Sequence, residues 1–189
     1  MLALIALSAG AANALMQGPL PGDVAATQGL QAMLGTDPDW ARWLTAIAKA
    51  PFLWGTLALA VLLAWRVGRW RAALAVPLAY ALAFAADKAL RAMVYVPRPD
   101  PALVAVADPS ASSGLPSTFG LVFGAAFGVS LLTRGDKSAR WIAGTLLIAG
   151  LAARIVPGGH WPSQMLASAT LGVLLALAAL ATVRRLPLP

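Results

Sequence analysis

Ionisable and hydroxyl side chains gather in three short stretches of an otherwise apolar chain. Arg91 and Arg98-Pro99 make the first, Ser112, Ser113 and Pro116-Ser117-Thr118 the second, and Arg154, His160, Ser163 and Gln164 the third. Charge is expensive at membrane depth, so such residues read first as functional, with snorkelling at a helix end as the plainer alternative. Arginine offers a planar fork of donors that fits a phosphoryl group. Hydroxyls add neutral donors, and a helix N-terminus adds unpaired N–H groups at the positive end of its dipole. Together these groups can hold a phosphate beside an imidazole. Arg91, Arg98, Ser117, Thr118 and Arg154 are the candidate phosphate-binding residues, and the Pro116-Ser117-Thr118 turn stands where the next helix should begin.

The elements that must position them are membrane helices. A helix needs about 20 apolar residues to cross the hydrocarbon core, fewer where it ends in a polar cavity. Six candidate spans fit: Leu2 to Met16, Ile47 to Trp65, Ala72 to about Lys88, Leu115 to Thr133, Trp141 to about Ala153, and Ser163 to Val183. The first and fifth are short, and the third contains Pro77. The expected fold class is therefore all-α, a polytopic membrane bundle of six transmembrane helices forming a single domain over residues 1–189. Short cytoplasmic loops retain positive charge. Arg66, Arg69 and Arg71, then Arg134, Lys137 and Arg140, then Arg184 and Arg185 all fall on one side of that arrangement, which places both termini in the cytoplasm. Residues 17–50, 89–114 and 154–162 then face the exterior of a bacterial-type inner membrane, and all three polar stretches lie on that face. Within 17–50, Trp40, Trp43, Leu44 and Ile47 recur at helical spacing with Arg42 and Lys49 on other faces, the pattern of an interfacial amphipathic helix.

Composition narrows the function classes. Of 189 residues, 60% are hydrophobic and 11% charged, all seven acidic residues are Asp, and the solvent for most of the chain must be lipid. A net charge of +7 does not make a nucleic-acid binder here, because the basic residues are dealt out between apolar runs instead of gathered on one wet face. With no Cys and one His there is neither a disulfide framework nor a thiolate or His-cluster metal centre, and the carboxylates are too scattered for a hard cation. No metal and no cofactor is implied; the expected partners are the bilayer and a membrane lipid substrate. Ala12-Asn13-Ala14 after a short apolar stretch has the form of a signal-peptidase site, although a basic leader region is missing.

The three polar stretches resemble the motifs of the type 2 phosphatidic acid phosphatases, a family of six-helix membrane proteins that includes lipid phosphate and undecaprenyl pyrophosphate phosphatases. The family's first motif is Lys, six residues, Arg-Pro; here Arg91 stands for Lys, followed at the same spacing by Arg98-Pro99. Its second is Pro-Ser-Gly-His, matched by Pro116-Ser117-Thr118-Phe119. Its third is Ser-Arg, five residues, His, three residues, Asp, matched by Ala153-Arg154, His160 and Gln164. The resemblance covers residues 72–183. It implies that His160 is the nucleophile, forming a phosphohistidine, and that Gln164 holds the place of the Asp that orients it. An amide can accept the imidazole N–H without offering negative charge, so orientation survives and electrostatic help is lost. Phe119 replaces the family's general acid, a group typically worth about 10² to 10⁴ in rate. A lipid monophosphate, with a second pKa of about 6, leaves with little protonation, so the substitution favours a polyprenyl-type diphosphate over a monoester. The other expectation is a catalytically impaired protein that binds or transports a phosphorylated lipid without hydrolysing it.

Plainer readings exist for several of these residues. Arg98 can pair with Asp100 in a rigid turn, Asp87 with Lys88 one turn before Arg91, and Ser112 and Ser113 can be ordinary loop residues. Gly120, Gly124 and Gly128 recur every four positions, a small face suited to packing a neighbouring helix.

Overall fold

The computed structural model describes residues 1–186, and these form seven α-helices: α1 (Leu2–Met16), α2 (Asp23–Leu34), α3 (Asp39–Ala46), α4 (Phe52–Met93), α5 (Thr118–Leu132), α6 (Lys137–Ile155) and α7 (Pro162–Arg185). Three of them, α4, α6 and α7, are long and apolar enough to cross a membrane, while α1 and α5 are shorter apolar helices. The chain is a helical membrane protein.

One of the three is really a hairpin. A straight helix of 42 residues would run about 63 Å, twice the ~30 Å hydrocarbon core. The backbone leaves helical geometry at Gly68 (φ −139°, ψ 17°) and Arg69 (φ 56°, ψ −154°). Leu53 and Phe84, about 46 Å apart on a straight rod, line one cavity. The arms 52–67 and 70–93 therefore run antiparallel, matching two of the expected spans. The reversal needs glycine for room, because a Cβ on Gly68 would sit 2.6 Å from both the Ala72 Cβ and the Thr133 Cγ2.

At the centre stands α5. It is apolar on every side, and every residue from Phe119 to Ser130 is buried, which is the pattern of a helix enclosed by others. Its glycine face meets α7, as the small-residue spacing led one to expect. A Cβ on Gly124 would fall 2.3 Å from the Ala169 carbonyl oxygen and 3.0 Å from its Cα, and one on Gly128 would lie 3.2 Å from the Val173 Cα and the Ala176 Cβ. Both α5 and α7 start at the same end of the bundle, and α6 finishes there. At the opposite end lie the α4 reversal and the α5–α6 turn, where Arg66 pairs with Asp136 at 3.3 Å and Asp136 caps α6 through the Ser138 and Ala139 N–H groups. The basic groups around Arg66, Arg134 and Arg184 all belong to that far end.

The segment 17–50 holds two helices where sequence predicted one. The Trp-rich helix is present as α3, with Trp43 exposed. Its companion α2 escaped notice because its buried stripe is polar: Asp23, Thr27 and Gln31, one residue per turn, face inward. Gln31 donates to the Ala105 and Val156 carbonyls (2.8 and 2.9 Å) and accepts from Ala105 N–H, while Asp23 accepts from Ser163 N–H and Oγ (2.9 and 2.5 Å). Hydrogen bonding of this kind satisfies buried polar groups that periodicity of apolar residues cannot reveal. Asn13, within the segment resembling a cleavage site, is fully buried and donates to Ser163 Oγ, which ties α1 to the start of α7.

If backbone-close packing of α5 on α7 holds the bundle, Gly124→Val should cost about 1–3 kcal/mol in a reversible unfolding assay in mild detergent. Gly55→Ala, where an added Cβ meets nothing within 4 Å, should leave stability unchanged or slightly raised. Equal behaviour of the two variants would contradict the packing argument.

Candidate anion-binding site

Where α5 and α7 begin and α6 ends, a cavity of about 310 Å³ opens. Its lining combines the polar side chains of Arg91, Arg98, Arg154, His160, Thr118, Thr45 and Lys49 with Phe119 and the largely apolar Ala48, Leu53, Tyr80, Phe84 and Val122. Of the residues singled out from sequence, Arg91, Arg98, Arg154, Thr118 and His160 are thus brought to one space. They come from four separate segments: the end of α4, the 94–117 loop, the start of α5, and the α6–α7 junction.

His160 is held by local geometry. The α6–α7 connection is short, and the Gly159 and His160 N–H groups both return to the Arg154 carbonyl (3.0 and 3.2 Å). The imidazole is 2% exposed, with Nδ1 2.9 Å from the Gly114 carbonyl and Nε2 3.3 Å from Ser117 Oγ. A carbonyl only accepts, so Nδ1 carries the proton and Nε2 keeps its lone pair. Burial pushes the imidazole pKa well below its ordinary value, and Arg98 and Arg154 push it the same way. The result is a neutral ring with a nucleophilic nitrogen in an electropositive cavity.

The arginines differ in how far they are already engaged. Arg91 donates from Nε to Asp87 (3.1 Å) and from its terminal nitrogens to Ser113 O, Pro116 O and Thr118 Oγ1 (3.2, 2.7 and 3.0 Å). Thr118 in turn donates to Asp87 at 2.8 Å, so this group mainly ties the end of α4 to the start of α5. Arg98 donates to Ser112 O, Gly159 O and Ser112 Oγ (3.0, 2.9 and 2.9 Å), leaving one hydrogen on each terminal nitrogen. Burial lowers its pKa to about 10, with help from Arg154 and Arg91, so it stays cationic at neutral pH. Arg154 is the most exposed to demand: half-buried, its guanidinium makes no hydrogen bond or ion pair among the described residues. The N–H groups of Thr118 and Phe119, the first two of α5, likewise have no partner among the described residues. Unspent donors and crowded positive charge together call for an anion.

Several expectations need correction. Gln164 takes no hydrogen bond from the imidazole; its amide donates to Pro97 O (2.8 Å) and Asn13 Oδ1 (3.4 Å) and accepts from Trp161 N–H (3.2 Å). It acts at one remove. A Cβ on Gly114 would lie 2.6 Å from Gln164 Oε1, so the amide rests against the backbone whose carbonyl holds His160. Ser117 is fully buried, its Oγ beside Nε2 of His160 and accepting from Gly120 N–H (3.4 Å) as the cap of α5, and it does not line the cavity. Arg98 is not paired with Asp100, and Asp87 is paired with Arg91 and not with Lys88, whose ammonium lies 5.4 Å from the Phe84 ring centroid. Ser112 and Ser113 are more than loop residues, since both anchor the arginines. Phe119 stacks on Phe123 at 4.1 Å, and a Cβ on Gly150 would come within 2.7 Å of its ring, so the site is shaped around a phenyl group.

Sequence reading passed over Gly114 and Thr45, and set Lys49 only on a face of the interfacial helix away from its tryptophans. Only Asp87 carried a usable signal, as a lone carboxylate four residues before Arg91 in an apolar run. No family model, curated protein or solved structure matches the chain.

Two outcomes follow from this geometry. Because folding favours neutral His160, the unfolded chain binds its proton more readily; stability is full above the ordinary imidazole pKa of about 6.5 and is lost as pH falls below it. The unfolding midpoint should therefore drop from pH 7.5 to 5 more steeply in the native protein than in His160→Gln, and equal slopes would refute the assignment. Arg154→Met should leave the ligand-free protein folded and about as stable as wild type, because the guanidinium makes no hydrogen bond among the described residues and feels the nearby charge of Asp108, while weakening inorganic phosphate or vanadate binding by roughly tenfold or more. A destabilised Arg154→Met would mean the guanidinium is structural.

Proposed function

We propose that this protein is a membrane phosphohydrolase that removes the terminal phosphoryl group of a lipid diphosphate, of polyprenyl type, on the exterior side of a bacterial inner membrane. On this reading six spans form the bundle, with the arms of α4 counted separately and α1 and α5 completing the set, and both termini lie in the cytoplasm. The single observation that carries it is the convergence of Arg98, Arg154 and His160 on one cavity that apolar side chains also line. A phosphorylated lipid likewise joins an anionic head to a hydrocarbon chain. The spacing of the three polar stretches, similar to that of type 2 phosphatidic acid phosphatases, supports the same conclusion.

The reaction can be written from these side chains. Nε2 of His160 attacks the terminal phosphorus, the bond to the bridging oxygen breaks, and the lipid monophosphate leaves with that oxygen and its electron pair. Water then attacks the phosphohistidine, the N–P bond breaks, and inorganic phosphate and neutral His160 are regenerated after loss of the water proton to solvent. The Gly114 carbonyl orients the imidazole and stabilises its positive charge in the intermediate, less strongly than a carboxylate would. Arg98, Arg154 and the free N–H groups of α5 take the developing charge on the phosphoryl oxygens. Phe119 gives no proton to the departing oxygen, which restricts the site to leaving groups that need none, a phosphate with a pKa of about 6 among them.

Phe119 also favours a second reading, in which a phosphorylated lipid is bound or moved without being cleaved. Purified protein given undecaprenyl diphosphate separates the two. The hydrolase reading expects release of inorganic phosphate, an acid-labile phosphoryl group on the chain, and loss of turnover by at least about 10³ in His160→Ala. Release unchanged in that variant refutes the mechanism. Lipid binding without release, converted to hydrolysis by Phe119→His, establishes the binding protein instead.

A further inference from the structure

We infer that Lys49 reads the inner phosphate of a lipid diphosphate, an assignment that rests on the reading above and specifies its substrate class. Lys49 lies outside all three polar stretches, and sequence set it only on a face of an interfacial helix other than that of its tryptophans. It instead borders the cavity, along a wall laid down by Thr45, Lys49 and Leu53. That wall has a fixed order. Thr45 Oγ1 donates to the carbonyl of Ala153, the residue before Arg154, at 3.4 Å, which anchors one end beside the arginines. One turn beyond Lys49, Leu53 N–H donates to the Lys49 carbonyl (2.9 Å) and its side chain joins Tyr80 and Phe84 on the apolar side, where Phe84 is half-exposed. Thr56 Oγ1 donates to the Ile47 carbonyl at 2.7 Å and pins the connection between. Lys49 thus stands between the guanidinium end and the hydrocarbon end.

A diphosphate lying along this wall, with its outer phosphoryl group at Arg154 and His160 and its chain against Phe84, carries its inner phosphate past Lys49. The ammonium makes no hydrogen bond or ion pair among the described residues, so it is free to take that charge. A second cavity of about 300 Å³ shares Thr45, Lys49 and Arg154 and holds two carboxylates: Asp37, already paired with Arg42 at 2.8 Å, and Asp108, whose charge acts on Arg154 and Arg98. In hydrolysis the inner phosphate is the leaving group, and a cation beside it stabilises the charge that Phe119 cannot neutralise with a proton. A lipid monophosphate has no group at that position.

Binding, not turnover, gives the cleanest test, because it is informative for hydrolase and binding protein alike. Farnesyl methylenediphosphonate and farnesyl monophosphate are titrated into wild type, Lys49→Gln and Lys49→Arg in lipid nanodiscs. Lys49→Gln should weaken the diphosphonate by about tenfold or more and the monophosphate by no more than about twofold, and Lys49→Arg should restore most of the difference. An equal loss for both ligands, or a loss for neither, overturns the assignment of Lys49 while leaving the anion site standing. Wild type that binds neither ligand overturns the phosphate reading of the whole cavity and this assignment with it.

Discussion

Close contact between α5 and α7 sets everything else in place. Because Gly124 and Gly128 bring the two backbones together without side chains between them, both helices can start at the same level of the bundle. Their N-termini then lie side by side, with Ser117 capping one and His160 immediately ahead of the other, joined at 3.3 Å. Ser117 N–H donates to Ser168 Oγ at 2.8 Å, a link from the start of α5 into the second turn of α7 that fixes their register. A bulkier α5 would separate the imidazole from the first turn of that helix, and with it the positive dipole ends from the arginines they reinforce.

Charge in the cavity is deliberately uneven among the three arginines. Arg91 is almost fully committed to Asp87, Thr118 and two carbonyls, and acts as the clasp between α4 and α5. Arg98 spends three donors on the Ser112 and Gly159 region and keeps two. Arg154 spends none among the described residues. Preorganisation rises from the last to the first and availability falls, so the clasp fixes the site while the free fork waits for its ligand. The neutral imidazole belongs to the same balance, since a protonated ring beside Arg98 and Arg154 would add a further uncompensated charge to a buried space.

Much of this was legible in the amino-acid sequence. Apolar run lengths located α1, α5 and α7 to within a few residues, the Arg66–Arg71 cluster marked the reversal inside α4, and the tryptophan spacing marked α3. The convergence of Arg91, Arg98, Arg154 and His160 followed from their common side of the expected spans. What escaped was what depends on backbone atoms or on polar packing. The partner of Nδ1 is a glycine carbonyl, a group every residue possesses, so no residue type could announce it. Gln164 was assigned by position to the imidazole, yet its amide is consumed by Pro97, Asn13 and Trp161. Lys49 is exposed, as its place off the apolar stripe implied, but that it also borders the cavity was hidden because the far arm of α4 opposite is more than thirty residues away in the chain.

The polar inner stripe of α2 carries a consequence for the order in which the chain assembles. Apart from Leu30, which packs against the core, this helix is held by polar groups, and these find their partners 74, 125 and 140 residues downstream, at Ala105, Val156 and Ser163. Such distant pairings are the last that a chain emerging from the ribosome can make. The second helix is accordingly locked into place only once the start of the last one, with Ser163, has been made.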